Sequence, residues 1–375
     1  MIGTLAAPLS VRLLAGDEPA RRMRAAIIGR TGKGNFGHGM DVCFNREDVE
    51  VVAVADPDSA GRARAAERSK APRQYESYRE MLEKEKPQLV SVAPRWSEEH
   101  HAMVLAALQA GAHVYCEKPF TVTPAEADEL VALADKSKLK IAVAHQMRLS
   151  PNVVHLKKKI DEGLIGELKT IHAHGKQDSR AGGEDLLVLG VHLFNLMSFL
   201  AGPALTCKAE VLQQGRRITV ADARRVAEGI GPVAGDDISA EFVLEKGVTA
   251  SFISAAKNRG TAPPWGLELI GSKGIAKIAA NIPCQTFVKT AVGEWEAVPG
   301  DPMAGASAEK DAFGAANRRM VDDLLAAIRE DRQPASSGRD ALKTIEMVMA
   351  VYRSALSGAA VKLPLEKRGH ALVGE

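Results

Sequence analysis

Between Gly29 and Gly39 the chain reads Gly-Arg-Thr-Gly-Lys-Gly-Asn-Phe-Gly-His-Gly, directly after the apolar run of residues 24–28. A short buried strand running into so many glycines limits what can follow. Gly32, Gly34 and Gly37 satisfy the pattern G-x-G-x-x-G, in which residues without side chains let backbone N–H groups and a helix N-terminus approach a pyrophosphate. Gly29, Asn35 and Phe36 belong to the same turn. The motif stands a few residues further from its strand than usual, so the loop is longer than normal, and residues 40–44 are predicted to form a short helix. A second strand, residues 49–55, ends in Asp56, about twenty residues past the glycines. A carboxylate there accepts hydrogen bonds from the adenosine ribose hydroxyls and repels a 2′-phosphate. No arginine follows in Pro57-Asp58-Ser59, so NAD is favoured over NADP. Asp56 can equally cap a helix over residues 59–69, and the two roles are compatible.

Strand and helix then alternate. Residues 89–93 read as a strand, 94–96 as a loop, 99–110 as a helix with Met103, Val104, Ala107 and Leu108 on one face, and 113–116 and 140–144 as further strands. This alternation with short loops predicts a doubly wound parallel sheet. The strand at 113–116 stops abruptly in Glu117-Lys118-Pro119-Phe120, and Thr123-Pro124-Ala125-Glu126 begins a helix with a capping box and Pro at its first position. Lys118 therefore falls at the sheet edge where open α/β folds place ligands. A lysine partly withdrawn from water there has its pKa lowered toward a range useful for proton transfer. A solvated lysine paired with Glu117 satisfies the same residues.

The 375 residues, 46% hydrophobic, suit two ordinary domains. A formal net charge of +2 gives no footprint for nucleic acid or a membrane surface. Cys43, Cys116, Cys207 and Cys284 are too scattered for a disulfide framework or a zinc site, no metal site is expected, and no apolar run reads as long enough to span a membrane. Residues 3–16 are small and apolar but are broken by Pro8 and Arg12, and Arg21-Arg22 lies on the wrong side to start an export signal. Residues 1–22 are read as a leader, disordered or the remnant of a signal. The expected location is cytoplasmic, with export as the alternative.

Several separated stretches together resemble the Gfo/Idh/MocA family of NAD(P)-dependent oxidoreductases. They are the glycine turn with Asp56; Pro94 and His100; residues 106–114 running into Glu117-Lys118-Pro119; Arg148 to Pro151 with Gly163-Leu164-Ile165-Gly166-Glu167; and the ending Tyr352-Arg353-Ser354-Ala355-Leu356-Ser357-Gly358 with Val361-Lys362-Leu363-Pro364. The resemblance implies a Rossmann domain, residues 23–146, then an α/β domain, residues 147–365, whose large and mostly antiparallel sheet often joins subunits into a homodimer or homotetramer. Residues 366–375 form a tail. The second half agrees on its own terms. Strand-like stretches recur at 168–174, 239–244, 248–253, 267–270 and 286–289, with a hairpin turn at Glu245-Lys246-Gly247, which is α+β in character. Residues 304–307 read as a loop. Residues 311–329 and 338–356 are amphipathic helices expected to return to the first domain.

In the family the lysine of Glu-Lys-Pro works beside an Asp and a His four residues apart on a helix. Here His192 stands in the histidine position, Val188 in the aspartate position, and Asn195 where a carboxylate often follows. Without the Asp, the imidazole lacks a carboxylate to orient it and raise its basicity. Asp185 replaces it if the segment departs from regular helix. Lys118 and His192 are the catalytic candidates. Pro94, His100, Glu117 and Lys118 join the glycine turn and Asp56 as cofactor residues. Arg148, Lys176, Asp185 and Asn195 are the substrate candidates, with Gln177, Asp178 and Arg180 nearby. Three functions fit: an NAD-dependent oxidoreductase acting on a sugar or cyclic polyol, an NAD-dependent glycosidase or lyase that recycles its hydride, and a nucleotide-binding sensor without catalysis.

Overall fold

A computed structural model describes residues 22–290, 293–300 and 312–373. Most of the leader (1–21), the loop at 304–307, the start of the helix at 311 and the last two tail residues lie outside the described residues. The first half is a six-stranded parallel sheet in the order β3-β2-β1-β4-β5-β6. Its strands are β1 Met23–Ile28, β2 Val49–Ala55, β3 Arg73–Tyr75, β4 Leu89–Val92, β5 His113–Cys116 and β6 Ile141–Val143. The strand order reverses between β1 and β4, which opens a crevice at their C-terminal ends. Helices Ser59–Ser69, Tyr78–Glu85, His100–Gln109 and Pro124–Lys136 connect the strands. The capping box at Thr123 and Glu126 is present, with Pro124 in the first turn.

One connection departs from expectation. Residues 40–44 form turns rather than a helix, with Met40 N–H donating to Phe36 O (3.1 Å) and Val42 N–H to Gly39 O (3.3 Å). Gly37 and Gly39 hold φ of +57° and +79°, which a helix does not tolerate. Met40 and Phe44 still bury their side chains completely beneath the sheet.

The second half is built on a ten-stranded sheet. It comprises β7 Leu168–His174, β8 Ala204–Gln213, β9 Arg216–Arg217, β10 Asp237–Leu244, β11 Thr249–Ala255, β12 Gly266–Gly271, β13 Gly274–Ala279, β14 Gln285–Thr290, β15 Glu296–Ala297 and β16 Val361–Lys362. The order is β15-β14-β13-β12-β7-β11-β10-β8-β16, with β9 paired to β8, and β7 with β11 is the one parallel pair among the described strands of this second sheet. Residues 245–247 make the expected hairpin turn, with Lys246 at φ 61°. Strict alternation in β10 turns Ile238, Ala240, Phe242 and Leu244 to one face. There Phe194 meets Phe242 and Phe252 edge-on, with centroids 5.3 and 5.1 Å apart.

Phe194 belongs to Gly183–Ala201, a helical stretch long and apolar enough to cross a membrane by length and composition. The sequence reading counted no such run. It is mostly buried inside the second half, where an all-round apolar helix belongs. Helices Ala312–Arg329 and Gly338–Ser357 do return to the first half. Met320, Val321, Leu324 and Leu325 join Ile27, Phe44 and Tyr115 in one apolar cluster beneath the parallel sheet.

Candidate active site

At the end of β1, Arg30 and Asn35 exchange backbone hydrogen bonds, each 3.0 Å, and pinch residues 31–34 into a small hairpin. Asn35 spends its side chain inside it, accepting from Gly32 N–H at 3.0 Å. The glycines under steric constraint are therefore Gly29, Gly34 and Gly37. A Cβ would stand 2.1 Å from the Phe36 ring at Gly29, 2.3 Å from Arg95 N at Gly34, and 2.7 Å from both Ala93 O and Glu117 Oε2 at Gly37. A Cβ at Gly32 meets nothing within 4 Å. The inserted hairpin sets the spacing that places Gly32 first in the fingerprint, and Gly29 stands directly at the end of β1.

Asp56 is buried at the end of β2, as its position demands. Its Oδ2 accepts from Thr31 N–H (2.9 Å) and Thr31 Oγ1 (2.7 Å), and its Oδ1 from Asp58 N–H (2.9 Å). The helix cap is Asp58, which accepts from Gly61 N–H at 2.6 Å. Three of about four acceptor sites on Asp56 are in use, two of them taken by Thr31 of the inserted hairpin. Gly29, Arg30, Ala55, Pro57, Tyr78 and Met103 line an open cleft of about 470 Å³ alongside. His100 lies behind the next loops, its ring nitrogens 2.7 Å from Pro94 O and 2.8 Å from Pro119 O, and ties those loops together.

Beyond β5, Glu117 is fully buried, with Oε1 accepting from Lys118 N–H at 3.1 Å and Oε2 without a partner. Burial raises its pKa. Lys118 is 6% exposed, and its Nζ donates to the Val188 carbonyl oxygen at 3.0 Å. Leu186–Gly190 is a π-helical turn, and the Val188 carbonyl receives this bond from outside the helix. Burial lowers the Lys118 pKa against the opposing pull of Glu117 and Glu228.

His192 is 5% exposed with Nδ1 unpartnered. Its pKa is pushed well below the ordinary value by burial, then by the charge of Lys118. His145, at the end of β6, faces it edge-on with centroids 5.7 Å apart and neither ring nitrogen partnered. Burial brings the His145 pKa to about 3 and that of His38 to about 4. Three neutral imidazoles thus surround one lysine. Asn317 on the returning helix fixes the loops that carry them: its Oδ1 accepts from Tyr115 Oη (2.8 Å) and Gln146 Nε2 (3.0 Å), and its Nδ2 donates to His38 O (2.9 Å).

Lys118, His192 and His38 border a cleft of about 400 Å³, lined also by Arg95, Lys176, Arg180, Val188, Glu228, Trp265 and Phe313, with His145 behind His192. Of the substrate candidates Lys176 lines it, and so does its neighbour Arg180. Asp185 is turned away and does not replace the aspartate at 188. Its carboxylate accepts from Lys176 N–H (3.3 Å), Gln177 N–H (3.0 Å) and Ser254 Oγ (2.6 Å), which braces a strand end. Arg148 points to the last long helix, donating to Asp340 Oδ1 at 3.3 Å with its guanidinium over Phe199. Asn195 is buried with its amide unpartnered and does not line the cleft. His38, His145, Arg95, Glu228 and Trp265 are site residues that the sequence reading left unassigned. For His145 a signal existed, because it ends a parallel strand of the doubly wound sheet.

The oxidoreductase family described by its NAD-binding Rossmann fold matches residues 23–145, and its C-terminal alpha/beta domain matches residues 157–363. The chain belongs to the Gfo/Idh/MocA oxidoreductase family. Its members similar to this chain include the D-apiose dehydrogenase of Paraburkholderia graminis, 26% identical over 92% of this chain and 90% of that protein. The inositol 2-dehydrogenase of Rhizobium meliloti is 26% identical over 68% of this chain and 74% of that protein. In fold, a levoglucosan dehydrogenase in complex with NADH and levoglucosan superimposes with a TM-score of 0.77 at 18% identity, covering 92% of this chain and 100% of that one. As a Gfo/Idh/MocA protein the chain is an NAD-dependent oxidoreductase. Its own residues suit the cofactor: Gly29, Gly34 and Gly37 form a cradle that any Cβ would fill, and Glu117 leaves a buried carboxylate oxygen unpartnered at its floor.

Proposed function

We propose that this oxidoreductase moves a hydride between NAD and a CH–OH group of a sugar or cyclic polyol, with Lys118 handling the hydroxyl proton. The observation that carries this reading is the placement of Lys118 Nζ, 3.0 Å from a neutral carbonyl in a cleft at the edge of the parallel sheet. The names of its relatives, a D-apiose and an inositol dehydrogenase, support a polyhydroxylated substrate.

The nicotinamide ring supplies the hydride acceptor when bound. Burial favours the neutral amine of Lys118, which donates one N–H to Val188 O and keeps its lone pair for the substrate hydroxyl. In oxidation the O–H proton passes to Nζ, the carbinol C–H leaves as hydride, and a C=O bond forms; reduction runs the same steps in reverse. His192 stays neutral, so it orients the hydroxyl by hydrogen bonding. Val188 presents an apolar wall where the family carries a carboxylate.

The test is to supply NAD and a panel of sugars and polyols to the purified protein and follow both NADH and product. Stoichiometric NADH and ketone are expected. Product formed with no net NADH replaces this reading with hydride recycling.

A further inference from the structure

Within that functional reading, we propose that the substrate carries an anionic group, a carboxylate or a phosphate, held by Arg95 and the Lys176–Arg180 side of the cleft. The charged groups lining the cleft are Arg95, Lys118, Lys176 and Arg180 against one carboxylate, Glu228. Asp178, just outside, takes a two-pronged contact from Arg180 (3.1 and 2.7 Å) and lies 3.7 Å from Lys176 Nζ. One carboxylate is thus shared by two cations. With the buried Glu117 beside Lys118 and Arg95 counted as well as Glu228, four cations face three carboxylates, and one positive charge remains uncompensated.

Hydrogen bonding shows the same imbalance. Among the described residues the Arg95 guanidinium has no acceptor, and its Nε is buried. Trp265 Nε1 is also buried without an acceptor. Arginine, lysine and the indole N–H are donors only. A cleft that offers surplus donors and surplus positive charge selects a ligand rich in acceptors, and ionised oxygens satisfy such donors best. A neutral polyol returns a proton donor for each acceptor and leaves the charge uncompensated.

The cofactor pyrophosphate is the other anion these cations could meet. Its cradle lies at the glycine turn, where Arg30 and Lys33 are already held by Glu99 at 3.1 and 2.8 Å and the Arg95 backbone packs against Gly34. The two sources are separable by experiment.

Matched pairs of sugars, such as D-glucose with D-glucuronate and D-glucose 6-phosphate and their galactose counterparts, are compared on the full chain with NAD. The readouts are kcat/KM and the shift in melting temperature. NAD affinity is titrated separately without sugar. The acidic member of at least one pair is expected to exceed its neutral partner by about tenfold or more, with the advantage shrinking as salt is added. Arg95→Gln and Arg180→Gln, each checked for an unchanged far-UV spectrum, are expected to narrow that ratio. Equal or better use of the neutral sugars overturns the proposal. So does a loss of NAD affinity in both variants at an unchanged ratio, which assigns the cations to the pyrophosphate. Salt-sensitive stabilisation by an acidic sugar without turnover keeps the anion site and removes the dehydrogenase reading instead; neither turnover nor stabilisation by any acidic sugar overturns the anion site.

Discussion

The side chain of Lys118 and the backbone of Val188 meet in a hydrogen bond of 3.0 Å, Nζ donating to the carbonyl oxygen. A carbonyl orients the amine without adding negative charge, so nothing at position 188 offsets the burial that lowers the lysine pKa. The neighbouring imidazoles are neutral for the same reason. Valine at 188 therefore leaves Lys118 without a carboxylate from this helix, where an aspartate would form an ion pair with it.

Val188→Asp tests this directly. The new carboxylate enters a wall already lined by Lys118 and His192. It favours the ammonium form, so the Lys118 pKa rises and the acidic limb of kcat/KM for alcohol oxidation, where the base must lose its proton, moves to higher pH. A pH–rate profile that coincides with wild type contradicts the arrangement.

Asp56 and Thr31 make a second prediction. The Thr31 hydroxyl sits on the carboxylate where a ribose hydroxyl is expected, so the two compete. Thr31→Val is expected to tighten NAD binding a few-fold, of the order of one hydrogen bond. Asp56→Ala is expected to weaken NAD binding and narrow its preference over NADP. Fluorescence titration with both nucleotides reads these effects, and NADP binding tighter than NAD to wild type contradicts the role given to Asp56.

Acid stability supplies a third. The folded-state pKa of His145 is lowered from 6.5 to about 3, so between those values the unfolded chain binds the extra proton. Stability is lost as pH falls below 6.5, with a slope of up to about 1.4 kcal/mol per pH unit from this residue. His145→Gln is expected to flatten the wild-type decline in urea midpoint between pH 6.5 and 4. Parallel curves for the two proteins contradict it.

What the sequence made legible was local. Glu117-Lys118-Pro119, the Thr123 cap and the hairpin at 245–247 each depend on neighbours in the chain. The alternation of strand and helix gave the parallel sheet for the same reason. β8 escaped because its buried positions Ala204, Cys207 and Ala209 are small while Leu205 is exposed, so its apolar alternation is weak up to Val211. The hairpin at residues 31–34 was not legible, because the Arg30–Asn35 bridge that closes it leaves no mark in the glycine spacing. Asp185 was misplaced because its partner Ser254 lies on a strand distant in sequence. Glu228 and Trp265 reach the cleft from loops of the second half, and nothing near them in the chain announces a site.

The central claim is that Lys118 carries the proton and is not a structural lysine. Lys118→Ala, compared with wild type for melting temperature, NAD affinity and single-turnover rate on a substrate found with the sugar panel, tests it most directly. Fold and NAD affinity are expected to stay close to wild type while turnover falls by about a hundredfold or more, the range for losing a general acid–base group. Turnover close to wild type in a folded, NAD-binding Lys118→Ala protein contradicts the account.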